Sequence, residues 1–268
     1  MKLIIESGAT KTDWCAIFSD GTVRRIKSEG INLTLTQGDA FDQLLRKAVA
    51  ALNPNGESIS EVHCYAAGLV QPRKTGNIEY ASDLLGAARA VCGHKPGITA
   101  ILGTGSNSCL YDGENIVRNV RSGGFILGDE GSAACLGKMF LSDYLKGLVP
   151  KEVAEPFSAQ FKADYSTVVE NVYKKEAPSR YLGSFSPWIL DWYGKNDYVT
   201  DLVQDNFRRF IERALSRYET DKYPVGIVGT FGYVCRDIFR EVAKPYGISI
   251  SEIVEAPIEG LLKYHQED

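Results

Sequence analysis

Residues 98–102 form an apolar run that stops at Gly103-Thr104-Gly105-Ser106-Asn107. A run this short and apolar predicts a buried strand. The two glycines let the chain turn tightly and leave its backbone open to a ligand. Successive N–H groups in such a turn make a concavity that binds anions, as phosphate-binding loops do. The same residues also fit a plain β-hairpin, because residues 108–110 could return as a strand. The phosphate reading gains weight because similar turns recur at Gly8 and Gly229.

Composition narrows the setting. The 268 residues are 44% hydrophobic and 24% charged, enough to build one large core or two small ones. A formal net charge of −4, with no long basic run, argues against nucleic acid or an acidic membrane as partner. No segment is apolar for the ~18 residues a membrane helix needs, and Glu6 interrupts the N-terminal apolar stretch too early for a signal peptide. A cytoplasmic protein is expected. Cys15, Cys64, Cys92, Cys109, Cys135 and Cys235 are scattered without a Cys-x-x-Cys pair, so they read as reduced, buried small hydrophobes. With His63, His94 and His265 as the only histidines, neither a zinc site nor a histidine-based triad is expected.

Taken in order, residues 2–7, 12–18 and 22–27 read as an antiparallel meander, with Trp14, Ala16 and Phe18 alternating against Asp13 and Cys15. Apolar residues at helical spacing follow over 41–52. Strands are expected at 61–67 and 78–81, then a helix over 84–91. The pattern restarts with strands at 98–102, 108–112 and 116–119, the last two joined by the turn 112–115. A long helical region runs from 129 to about 218, broken at Pro150, Pro156, Pro178 and Pro187. Then come a strand at 225–228, a helix to about 246, a short strand at 248–250 and a helical tail at 258–264. This order predicts an α/β fold with mixed sheets. Two related domains are expected, 1–97 and 98–268, the second with a helical insertion.

Three turns carry the candidate chemistry. In the first, Glu6 to Thr12, Gly8, Thr10 and Lys11 would face a polyphosphate, and Glu6 would hold a hydrated Mg²⁺. A plain hairpin loop fits these residues equally. The second is Gly103-Thr104-Gly105-Ser106. The third, Gly229-Thr230-Phe231-Gly232, opens a helix after a buried strand, a setting that suits a nucleotide.

An acidic residue with Gly and Thr in a first hairpin, a second Gly-Thr-Gly hairpin and a late strand-Gly-x-x-Gly-helix resemble the actin-like ATPase superfamily of sugar kinases, heat-shock chaperones and acetate kinase. Gly103-Thr104-Gly105-Ser106-Asn107 followed by Gly128-Asp129-Glu130-Gly131-Ser132 is similar to the N-acetylglucosamine kinase branch of the BadF/BadG/BcrA/BcrD-type ATPase family. Glu6, in place of the superfamily's more usual aspartate, fits that branch. The resemblance runs from Leu3 to about Tyr264. It implies two actin-like (ribonuclease H-like) domains, each with a mixed five-stranded-type sheet and flanking helices, around an interdomain cleft. It implies ATP and Mg²⁺, an amino sugar acceptor phosphorylated at a hydroxyl (O6), and a homodimer. By position it implies that Asp83 is the catalytic aspartate and that Asn32, Ser106, Asn107 and Asp129 contact the sugar. Gly8, Thr10, Lys11, Gly103, Thr104, Gly105, Gly229 and Thr230 then serve ATP, and Glu6 the metal.

Phosphoryl transfer to an alcohol asks for phosphate-binding groups and one carboxylate aligned on the attacking hydroxyl. Asp83 fits that task and also fits a helix N-cap before Leu84. Asp129 fits a sugar contact and also an acidic first helical turn, which is how Glu130 reads. Asn32 fits an ordinary loop. Trp188, Trp192 and Tyr193 are at helical spacing and read as core. One departure from the family stands out: residues 69–77 are too short for the crossover helix expected between parallel strands. Either a layer is lost or a segment is omitted, and omission is the expectation. Two other functions remain open, a partner-activating ATPase of the dehydratase-activator type and a sugar sensor without catalysis. The first calls for cluster-binding cysteines, and no pair here has that spacing.

Overall fold

The computed structural model of the chain describes residues 1–8, 11–31, 39–69 and 72–267. The first elements are β1 (Lys2–Ser7), β2 (Lys11–Ile17), β3 (Val23–Glu29), α1 (Asp39–Leu52), β4 (Glu61–Ala66), β5 (Arg73–Thr75), β6 (Ile78–Ser82) and α2 (Asp83–Cys92). Then come β7 (Gly97–Leu102), β8 (Ser106–Tyr111), β9 (Ile116–Val120), α3 (Gly124–Leu127), α4 (Ala133–Leu145), α5 (Lys151–Gln160), α6 (Tyr165–Tyr173), α7 (Pro178–Gly183), α8 (Ser186–Leu190) and α9 (Asp197–Arg213). The chain closes with β10 (Val225–Val228), α10 (Thr230–Val234), α11 (Arg236–Ala243), β11 (Ile250–Val254) and α12 (Ile258–Glu267).

The first sheet has the order β3-β2-β1-β4-β6-β5. β1 pairs antiparallel with β2 and parallel with β4, and β4 pairs parallel with β6. It is therefore mixed, as expected for a meander followed by a helix–strand repeat. β1 is buried from Leu3 to Ser7 because neighbours cover both its faces. The same holds for β2, where Asp13 and Cys15, read from the sequence as the outward residues, are buried beside Trp14 and Ala16. Alternation fails there because a central strand has no solvent face.

The sixth strand, β5, was not expected. It pairs antiparallel with β6 at the sheet edge, and all three of its residues are exposed. No helix lies among the described residues between β4 and β6, so the layer that a crossover helix would form is missing. The expected break at this join falls on Val70 and Gln71, outside the described residues.

The second sheet has the order β11-β10-β7-β8-β9, with β10 parallel to both β7 and β11. Behind it the helical region packs an aromatic core. Phe157 meets Phe140 at 4.8 Å and Trp188 at 5.1 Å between ring centroids. Trp188, Trp192 and Tyr193 pack against this core, as their spacing predicted. Pro150 and Pro178 stand at helix starts, but Pro156 lies inside α5, where the expected break does not occur.

By internal contacts the chain divides into two units. One contains Met1–Pro96, Tyr111–Val117 and the segment from Ala256 onward; the other contains Gly97–Leu110 and Arg118–Glu255. The tail helix α12, placed by sequence reading in the second domain, thus packs in the first unit. There Gly260 lies so close to α2 that a Cβ would come within 2.2 Å of Ala90 O. Among the described residues no helix is long and apolar enough to cross a membrane.

Candidate functional site

In the first unit, the register aligns the carboxyl ends of three parallel strands. Ser7 faces Ala66, and Ala66 faces Ser82. Ligands of open α/β sheets bind beyond such ends. Glu6 and Asp83 flank this row. Glu6 is buried, and directly across the β1–β2 pair stands Asp13, also buried. Burial first, then the charges of Asp13 and Asp83, push the Glu6 carboxyl up to about 7, with Lys11 opposing. Like charges opposed across strands are unfavourable, and Lys27 Nζ, 3.9 Å from Asp13 Oδ1, offsets part of this.

Asp83 is half-buried, and loss of water pushes its carboxyl above the ordinary range, with hydrogen bonding from Leu84 N–H opposing. Its Oδ1 accepts that N–H at 2.9 Å. The N-cap of α2 is not Asp83 but Ser82, whose hydroxyl accepts Leu85 N–H at 3.1 Å. Asp83 is therefore the first helical residue, and the capping role read for it is already filled.

The first hairpin closes through Gly8 N–H to Lys11 O at 3.0 Å. Ser7 hydroxyl lies 2.7 Å from Thr12 Oγ1, donates to Ile31 O at 3.1 Å and accepts Ile31 N–H at 2.7 Å. This ties residue 31 to the hairpin. The candidates Thr10 and Asn32 lie outside the described residues.

In the second unit, the other two turns meet. Val228 pairs with Ile101, which sets Gly229 beside Leu102 and Gly103. Gly229 has φ +128°, and a Cβ there would lie 2.4 Å from Leu102 O and 3.2 Å from Gly103 N. Only glycine fits both the conformation and the space. Gly229→Ala is expected to lower stability by at least ~2 kcal/mol, read as a fall in the urea midpoint; an unchanged midpoint would contradict this packing. The helix expected after Gly229 is divided into α10, α11 and a 3₁₀ turn at Lys244–Tyr246. α10 has five residues, so its dipole is small and the anion-binding capacity rests on local N–H groups such as that of Thr230.

The Gly103 turn is locked from behind. Ala133 N–H donates to Gly103 O at 3.0 Å and Ala134 N–H to Thr104 O at 3.1 Å. These bonds use the first donors of α4, whose N-cap is Ser132. Asp129 and Glu130 thus precede the helix and are not charges of its first turn, as the sequence reading had Glu130. Glu130 instead pairs with Arg213 at 3.3 Å.

Asp129 is buried with φ +56°. Burial pushes its carboxyl up; hydrogen bonds from Ser106 N–H and the Ser122 hydroxyl oppose this. A Cβ on Gly105 would stand 2.9 Å from Asp129 Oδ2, so the glycine clears room for the carboxylate. Asn107 accepts Ser108 N–H and Asn119 Nδ2, both at 2.9 Å and both on Oδ1, which turns its amide N–H₂ toward donation. Ser106, Asn107, Ser122, Glu130 and Arg213 line a pocket of about 50 Å³. That is room for a substituent or a water, not for a sugar ring.

The described candidates therefore form two groups, Glu6, Gly8, Lys11 and Asp83 in one unit and the Gly103 and Gly229 turns with Ser106, Asn107 and Asp129 in the other. Asp13 and Ser122 belong to these groups and were missed. Strand register across the first hairpin carried a signal for Asp13, because it sets residue 13 opposite residue 6.

No family model and no curated protein matches the chain. Among solved structures, it is similar to one from Porphyromonas gingivalis provisionally named an N-acetylglucosamine kinase, at 36% identity and a TM-score of 0.89, covering 100% of this chain and 99% of that one. A Chromobacterium violaceum structure under the same provisional name matches at 18% identity and a TM-score of 0.77, over 98% of each chain. A ROK family glucokinase from Streptomyces griseus, solved with glucose and AMPPNP, matches at 16% and 0.54, over 99% and 98%. At these identities the last two speak to the fold alone.

Proposed function

Because the chain belongs to the N-acetylglucosamine kinase branch of the BadF/BadG/BcrA/BcrD-type ATPases, within the actin-like sugar kinases, we propose that it phosphorylates N-acetylglucosamine or a related amino sugar, at O6. It is an ATP-dependent phosphotransferase with a hydroxyl acceptor. The observation that carries the assignment to this site is Asp83, a desolvated carboxylate free of capping duty at a strand end, next to Glu6.

In this reading Asp83 accepts the proton of the attacking sugar hydroxyl while the γ-phosphoryl group passes to that oxygen and ADP leaves. A carboxylate raised above its ordinary range is a stronger base for this step. Thr104 and Thr230 would offer backbone N–H groups and Lys11 a cation to the nucleotide phosphates, with Thr10 implied by its place in the Lys11 turn. Gly8, Gly103 and Gly229 spend their own N–H groups on Lys11 O, Gly105 O and Val254 O and would serve by leaving room for the ligand. Glu6 and Asp13 would hold a hydrated Mg²⁺, which when bound neutralises phosphate charge. Among the described residues no group of three or more His, Cys, Asp or Glu could hold a metal alone. That donor set suits Mg²⁺, which keeps several waters and phosphate oxygens as ligands. Asp129, Ser106 and Asn107 contact sugar hydroxyls, with Asn32 implied beside them.

Neither rival is favoured. The full-length likeness is to sugar kinases, and a carboxylate such as Asp83 would have no use in a silent sensor. Cys15, Cys64, Cys109, Cys135 and Cys235 are buried and Cys92 is half-buried, so among the described residues no pair of cysteines stands exposed together for a cluster. The test is ADP release from Mg²⁺-ATP across a panel of sugars. Release is expected only when an amino sugar is added; release indifferent to every sugar would remove the assignment.

A further inference from the structure

The turn 128–132 holds Asp129 in a left-handed conformation that an L-residue other than glycine rarely takes unless its surroundings impose it. The constraint comes from α9. Asn206 is fully buried there. Its Oδ1 accepts Gly131 N–H at 2.9 Å, and its Nδ2 donates to Ser132 O at 3.1 Å. These two partners leave one amide orientation, since a flipped side chain would set donor against donor and oxygen against oxygen. Ser132 N–H donates back to Asp129 O at 3.1 Å, which closes the turn around the residue that carries the carboxylate. One helical turn further on, Phe210 fills the space beside Gly131, where a Cβ would come within 2.7 Å of Phe210 Cβ. From the other side Lys138 Nζ donates to Phe125 O at 2.7 Å and reaches Gly128 O at 3.5 Å. A buried amide is a costly way to fill a core unless both its ends are used. Here both ends are used on the turn.

We infer that Asn206 is a positioning residue for the acceptor sugar: it fixes the 128–132 turn so that the Asp129 carboxylate, held on Ser106 N–H, meets the sugar's hydroxyls. This rests on Asp129 being a sugar contact, as proposed above, and extends that reading to a residue that never touches the ligand. Asn206 carries no reacting atom. Its effect is geometric, and a displacement of the carboxylate by about 1 Å is enough to cost a large factor in rate or affinity.

The test uses the full chain and N-acetylglucosamine. Asn206→Ala is expected to raise the sugar's KM at least tenfold while the KM for ATP stays within twofold. Asn206→Asp keeps the bond to Gly131 and loses the one to Ser132, so it is read in the same way should the alanine variant not fold. Val203→Ala removes packing from the same helix without a hydrogen bond to the turn; it is expected to lower the melting temperature and leave the sugar's KM within twofold. If the Asn206 variants also lose only stability, with both KM values unmoved, the inference falls. A crystal structure of the Asn206 variant decides the geometry apart from activity. Asp129 leaving φ near +56° and its bond to Ser106 N–H supports the inference, and Asp129 staying in place overturns it. Absence of sugar-dependent ADP release in the unaltered chain would instead overturn the kinase reading and leave that structural result standing.

Discussion

Asp83→Asn lowers sugar-dependent ADP release by roughly 10²–10⁴-fold, the usual contribution of a positioned general base. The substitution is nearly isosteric, so its consequence is chemical. The amide oxygen can still accept Leu84 N–H, and Ser82 still caps α2. The fold should therefore hold, with stability within about 1 kcal/mol of the unaltered chain. The KM for ATP is expected to change less than twofold, because Asp83 is assigned to the acceptor and not to the phosphates. Removing its charge also takes away one of the carboxylates that raise Glu6, so Glu6 titrates at lower pH in the variant. A variant that keeps more than a tenth of the kcat, with the protein folded, would show that another group takes the proton.

The parts legible in the sequence were those where one local rule suffices. β7 and β10 are short apolar runs closed by glycine, and both begin and end within a residue or so of the expected places. Asp83 was legible as an acid at a strand end because apolar residues at helical spacing begin right after it. What escaped depends on neighbours distant in sequence. Asp13 reads as the outward half of an alternating strand until helices are seen packed on β2, α12 as well as α1. β5 has three exposed polar residues and no apolar pattern, so only its partner β6 makes it a strand. Pro156 was read as a break, yet as the sixth residue of α5 it takes away one i→i−4 bond, to Glu152 O, while Val153 and Phe157 stay buried on the helix. Asn206 did leave a trace. It occupies the buried stripe of α9 with Val199, Val203 and Phe210, and a polar residue on an apolar stripe asks for a polar partner. Which partner it finds depends on where α4 and the 128–132 turn pack.

His265 makes the first unit acid-labile. Its side chain is 3% exposed, stacked on His63 at 4.0 Å between ring centroids. Nε2 lies 2.8 Å from the Tyr65 hydroxyl, and that hydroxyl oxygen already accepts Arg89 Nη1 at 2.8 Å. This leaves the Tyr65 proton free to point at Nε2, an arrangement that a neutral imidazole accepts. The surroundings agree. Burial first, then His63, Arg89, Lys2 and His94, push the pKa down to about 3. The nearby acids do not change this: Glu61 and Glu79 stand at 3.3 and 3.2 Å from His63, while Tyr264 meets His265 edge-on. The sign follows from linkage. Above pH 6.5 both folded and unfolded chains hold a neutral His265, and it contributes no pH dependence. As pH falls from 6.5 toward about 3, the unfolded chain takes up a proton that the folded one refuses, and stability declines by ~1.4 kcal/mol per pH unit. Between pH 7.5 and 5.0 this amounts to about 2 kcal/mol. His265→Gln keeps an acceptor for Tyr65 and cannot titrate, so in urea unfolding the unaltered chain is expected to lose about 2 kcal/mol more than the variant over that interval. All other groups are common to both proteins, so parallel stability curves would mean that His265 binds its proton equally well in the folded and unfolded chains and that its burial does not keep it neutral.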